Sequence, residues 1–155
     1  MTTTLIINRH AKADDGIYAD DRDRPLCDEG REIHRQAMEE LKNLGYSVEE
    51  ILCSPYLRAQ QTAEIAAEFV GGTVKIDEAL GSDFNAEYLV QQIPPPKDNK
   101  TLMFVGHEPT LSQFANALVG EVCLPAGLSK SSTVIITFDK EIAFGKGTFE
   151  TYLKP

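Results

Sequence analysis

The chain has 155 residues, 42% of them hydrophobic and 25% charged, with a formal net charge of −9. That length and balance suit one globular domain spanning residues 1–155, and the acidic excess argues against nucleic acid or an anionic membrane as the main partner. Cys27, Cys53 and Cys123 show no C-x-x-C spacing, and no apolar stretch approaches membrane-spanning length. A reduced, cytoplasmic setting is expected, without a secretory leader, a disulfide framework or a zinc knuckle.

In chain order, short β-like runs alternate with helical patterns. This predicts an α/β three-layer sandwich: a mostly parallel central sheet, helices on both faces, and an antiparallel hairpin at the C-terminal edge. Leu5–Asn8 is the first strand, apolar on both faces as a central strand should be. The polar loop after it is too irregular in ligand spacing for a calcium site. From about Asp28 to Leu44, Ile33, Ala37, Met38, Leu41 and Leu44 share one helical face, and Gly45 supplies the stop. His34 falls among Glu32 and Arg35 and is expected at the surface.

Ile51–Cys53 is a second strand, leading into a helix with Ser54 as cap, Pro55 at its first position, and Gly71 and Gly72 at its end. Ala59, Ala63, Ala66 and Val70 give it a small-residue face. Thr73–Ile76 is a third strand, Ala86–Ile93 a short helix broken by Pro94–Pro96, and Leu102–Val105 a fourth strand. Pro109 opens a helix with Leu111, Phe114, Ala115 and Leu118 inward. The runs "STVIITF" and "GTFETYL" complete the chain as a hairpin.

Three strand ends share one grammar: Arg9-His10, Ser54-Pro55 leading to Arg58, and Gly106-His107 leading to Pro109. In an open α/β sheet, ligands bind outside the carboxyl ends of parallel strands. Two Arg and two His would then converge beside two helix N-termini, an arrangement that favours an anion. Guanidinium forks match phosphate oxygens, and a neutral imidazole can attack phosphorus.

"IINRHA", "SPYLRAQQTAE" and "FVGHEP" resemble, in order, the signatures of the histidine phosphatase superfamily, which includes the phosphoglycerate mutases. "RPLCDEGRE" is similar to the segment that opens its first long helix. The resemblance implies that His10 is the phosphate-accepting nucleophile, that Arg9 and Arg58 clamp the phosphate, and that His107 hydrogen-bonds the transferring group. Arg24 is either an auxiliary phosphate contact or a loop salt bridge with a nearby Asp. Ala11 replaces the usual Gly, and Cys27 stands where Thr or Ser normally caps the helix, so Asp28 is the alternative cap.

The larger members carry a general-acid Glu in an inserted region. Here "IDEALGSDFNAEYL" is short, with no clear Glu-Gly equivalent; Asp83 and Glu87 are candidates, with solvated loop residues as the simpler reading. Length and the missing acid resemble the small SixA-type phosphohistidine phosphatases, implying a histidine-phosphorylated protein as substrate and partner. No cofactor or metal is expected, since two guanidiniums supply the charge a metal would. The alternatives are a small-molecule phosphomonoesterase of the same fold and a noncatalytic phosphoprotein-binding module.

Overall fold

The unbroken run Leu5–Ile7 becomes the middle of strand β1 (Thr3–Arg9), with all three side chains fully buried in a computed structural model that describes residues 1–155. Burial on both faces is what a central strand flanked by helix layers requires. The other strands are β2 (Glu50–Cys53), β3 (Thr73–Ile76), β4 (Thr101–Gly106), β5 (Thr133–Phe138) and β6 (Thr148–Leu153). Their order across the sheet is β3-β2-β4-β1-β5-β6. The first four run parallel to one another, β5 runs antiparallel to β1, and β6 closes the edge as an antiparallel hairpin with β5.

Helices α1 (Asp28–Asn43) and α2 (Leu57–Val70) cover one face, and α3 (Ala86–Gln92) and α4 (Thr110–Val119) the other. Strand alternation divides the core between them. Ile6, Ile51, Met103 and Ile135 pack with Met38, Leu41 and the alanines of α2. Leu5, Ile7, Phe104 and Ile136 pack with Leu89, Leu111 and Phe114. Each such fully buried side chain contributes roughly 1.5–3 kcal/mol relative to exposure, so the strand ends rise from a firm floor.

The structure corrects three local expectations. His34 is fully buried, not at the surface, because the inward line of α1 runs Gly30, His34, Met38, Leu41. Its Nδ1 lies 3.1 Å from Ser131 Oγ, which makes burial of the polar ring tolerable. The line is rotated from the expected stripe, so Ile33 and Ala37 are only partly buried, and Leu44, just past the helix end, is exposed.

Second, Cys27 itself caps α1. Its Sγ accepts the Gly30 N–H at 3.3 Å, and Asp28 is already inside the helix. Gly30 is required for a separate reason: a Cβ there would collide with the Lys12 carbonyl oxygen, so α1 can approach the loop after β1 only without a side chain.

Third, α2 starts at Leu57, two residues after Pro55. Ser54 Oγ accepts the Tyr56 N–H at 3.2 Å, closing a tight turn ahead of the helix. Likewise Pro109 precedes α4, whose first residue is Thr110. No helix is long and apolar enough to cross a membrane.

Candidate active site

β2, β4 and β1 are neighbours, and their carboxyl ends meet at one edge of the sheet. Arg9 pairs with Gly106 in the β1–β4 register, and the His10 N–H donates to the Gly106 carbonyl at 3.0 Å. The two histidines that follow these strands are therefore side by side, with ring centroids 5.0 Å apart. Ser54 extends the same ladder, its N–H donating to the Val105 carbonyl at 3.0 Å.

His10 is almost fully buried. Its Nδ1 is 2.7 Å from the Ala11 carbonyl oxygen, which can only accept, so Nδ1 carries the proton and Nε2 keeps its lone pair. Burial lowers its pKa to about 3 against the opposing effect of the Ala11 carbonyl; protonation of the neighbouring His107 would oppose its own, and the fixed charges of Arg58 and Arg9 lower it further. The nucleophile candidate is thus neutral throughout the physiological range. His107 is lowered to about 4, first by burial and then by Arg58 and Arg9. Its Nε2 lies 2.8 Å from Ser54 Oγ, and the Tyr56 ring packs edge-on at 4.7 Å between centroids.

Arg58 is buried in the first turn of α2. Nη1 donates to the Asp21 carbonyl at 3.0 Å and Nη2 to Asp21 Oδ2 at 2.9 Å, while the guanidinium carbon sits 4.8 Å from the Tyr56 ring centroid. The cation is thereby oriented from two sides. Arg9 is partly buried and anchored by Nη1, which donates to the Leu128 carbonyl at 2.8 Å. Nε of both arginines is buried without a partner.

A cavity of about 350 Å³ opens beside these groups, bounded by Arg58, His107, Tyr56, Asp21, Ser82 and Phe84, with Glu108 at its rim. Its two carboxylates are both engaged. Asp21 is held below the usual carboxylate range chiefly by its bond to Arg58 and also by Arg24. Glu108 accepts three hydrogen bonds, from Ser112 N–H and Oγ and from Leu128 N–H. That carboxylate occupies the N-terminus of α4, so this helix end is not free for a ligand. α2 has no side-chain cap, and the N–H groups of Leu57 and Arg58 have no hydrogen-bond partner.

The structure thus brings Arg9, His10, Arg58 and His107 together. It gives Arg24 the alternative contact: Nε donates to Asp21 Oδ1 at 3.0 Å and Nη1 to the Asp14 carbonyl at 3.1 Å. Asp83 and Glu87 are exposed and do not line the cavity. Sequence reasoning missed Asp21, Tyr56 and Thr62. Thr62 Oγ1 donates to the Arg58 carbonyl at 2.7 Å and accepts the Ala11 N–H at 3.0 Å, tying α2 to the loop that bears His10. The Thr lies four residues after Arg58, one helical turn, and that spacing was the available signal. No group of three or more His, Cys, Asp or Glu is placed to hold a metal ion.

The profile of the histidine phosphatase superfamily, branch 1, matches residues 5–84. An uncharacterised protein of Picosynechococcus sp. is 38% identical over 119 residues, 74% of this chain and 72% of that one. The structure of the protein histidine phosphatase SixA complexed with tungstate superposes with a TM-score of 0.83 at 25% identity, over 98% of this chain and 97% of that one. A structure from Agrobacterium tumefaciens, proposed to be a phosphohistidine phosphatase SixA, gives 0.82 at 23% identity over 99% and 98%.

Proposed function

Because this chain belongs to the histidine phosphatase superfamily, branch 1, we propose that it hydrolyses phosphohistidine on a protein through a covalent phosphoenzyme on His10. The observation that carries this reading is the charge state of the groups gathered at the strand ends: the guanidiniums of Arg9 and Arg58, the neutral imidazoles of His10 and His107, and carboxylates, Asp21 and Glu108, that are both already engaged. The likeness to a SixA structure complexed with tungstate, a tetrahedral oxyanion, supports an anionic substrate.

In this mechanism Arg9 and Arg58 hold the phosphoryl oxygens. His10 Nε2 attacks phosphorus as the bond to the substrate's ring nitrogen breaks. That ring, protonated on its other nitrogen, leaves as neutral imidazole. His107 donates a hydrogen bond to a phosphoryl oxygen, its ring held by Ser54 and Tyr56. Water then displaces phosphate from His10, and the neutral imidazole is restored.

An alkyl ester would need a positioned acid to protonate its alkoxide, help typically worth about 10² to 10⁴ in rate. Asp21 cannot give it, because Arg58 and Arg24 keep it ionised. The test is a substrate series with the purified protein. kcat/KM is expected to fall steeply from phosphohistidine through p-nitrophenyl phosphate to glycerol phosphate, and to be insensitive to EDTA. His10→Ala is expected to be inactive, and brief labelling of the wild type to leave acid-labile phosphate on His10. A flat series, or a preference for glycerol phosphate, points instead to a small-molecule phosphomonoesterase.

A further inference from the structure

A second, larger cavity of about 650 Å³ is lined by Arg9. Its floor is the partly buried Ile33 and Ala37 of α1, and its walls carry Lys130, ahead of β5, and Lys154, just after β6. Because β5 and β6 are antiparallel, the start of one and the end of the other reach the same sheet edge as the end of β1. The groove therefore lies at the sheet edge that carries the candidate active site, and Arg9, which precedes His10, lines it.

Its electrostatics run against those of the chain. In a protein of net charge −9, Arg9, Lys130 and Lys154 converge here against a single acidic side chain, Glu40. Neither lysine makes an ion pair, whereas Lys12, Lys75 and Lys146 each hold a glutamate. The wall is also preformed. Ser129 N–H donates to Tyr152 Oη at 3.2 Å, and Arg9 Nη1 fixes the Leu128 carbonyl next to it. The volume is about twice that of the cavity at His107, too large for a phosphate alone, and the apolar floor suits side-chain stems of a polypeptide.

We propose that this groove seats the segment of the protein substrate that flanks its phosphohistidine, and that it selects segments carrying Asp or Glu. The inference rests on the phosphohistidine reading above. A peptide lying across Arg9 would present its phosphorylated ring to His10 while its carboxylates met Lys130 and Lys154. Charge complementarity of this kind steers partners and sets specificity more than it sets the chemical rate.

The test compares wild type with the Lys130→Glu, Lys154→Glu double variant, neither residue being part of the catalytic group. Three probes are used: free phosphohistidine, a phosphohistidine peptide with flanking Asp and Glu, and the same peptide with flanking Lys. The wild type is expected to prefer the acidic peptide. The variant is expected to lose about tenfold in kcat/KM on that peptide, through KM, and to gain on the basic one, while free phosphohistidine is unchanged. If free phosphohistidine is turned over equally by both proteins but peptide preference is also unchanged, the groove proposal fails alone. If wild type does not hydrolyse free phosphohistidine, the functional reading fails and takes the groove with it. A loss of equal size on all three probes also overturns the proposal, since the variant would then have damaged the site itself.

Discussion

His34 offers a quantitative test because its burial has a calculable consequence. The ring is fully buried, and burial alone lowers its pKa from 6.5 to about 3. In the unfolded chain the imidazole takes a proton near pH 6.5, whereas in the folded chain it does not until far lower pH. Between those values the unfolded state holds more protons, so stability falls as the pH falls, by about 1.4 kcal/mol per pH unit for one such group. From pH 6.5 down to about pH 5 the loss assignable to His34 is about 2 kcal/mol. His34→Gln removes the titration and keeps an amide able to reach Ser131. At neutral pH the variant is expected to be less stable than wild type by about 1–2 kcal/mol, from imperfect filling of the site. On acidification that gap is expected to close and then reverse. His10 and His107 also have lowered pKa values, but they are present in both proteins and cancel in the difference. Urea titrations at three pH values between 7 and 5 measure the effect. Parallel stability curves for the two proteins would mean that His34 is protonated, or solvated, in the folded state. A second readout follows from geometry: Ser131, which contacts His34, sends its N–H to the carbonyls of Arg9 and His10 from a left-handed backbone at φ 64°. Loosening the His34 contact is therefore expected to lower kcat without abolishing it.

Two further outcomes concern the arginine clamp. Arg58→Ala is expected to lower kcat/KM by about 10² or more, and Arg58→Lys to recover little, because an ammonium cannot copy a guanidinium held by Asp21 on one side and Tyr56 on the other. Full rescue by Lys would show that only diffuse charge matters. Asp21→Asn is expected to strengthen competitive inhibition by inorganic phosphate by a few-fold, since the carboxylate now neutralises part of the charge on Arg58 and is itself exposed and solvent-screened. Weaker inhibition would mean that Asp21 contributes mainly by orienting Arg58.

Within the chain, local pattern was enough for the element order and for the side chains that the fold gathers at the strand ends. A central strand buried on both faces reads as a continuous apolar run, and Leu5–Ile7 and Leu102–Val105 say so without any knowledge of their neighbours. Polar residues at the ends of such runs, at Arg9-His10, Arg58 and Gly106-His107, then had one plausible meeting place, because parallel strands in one sheet share an edge. Tertiary structure decided everything that depends on a partner distant in the chain. His34 looks like a surface residue by its neighbours in sequence, but it lies on the inward line of α1, where Ser131, 97 positions away, meets its ring. Asp21 sits in an acidic loop with nothing to distinguish it from Asp20 or Asp23, until the fold sets its carboxylate on Arg58. The groove lined by Arg9 has no sequence signature, since Lys130 and Lys154 come together only when the β5–β6 hairpin places a beginning and an end at the same sheet edge. Periodicity carries information about which way a side chain faces. What it faces is set by packing, and that is absent from any local window of the sequence.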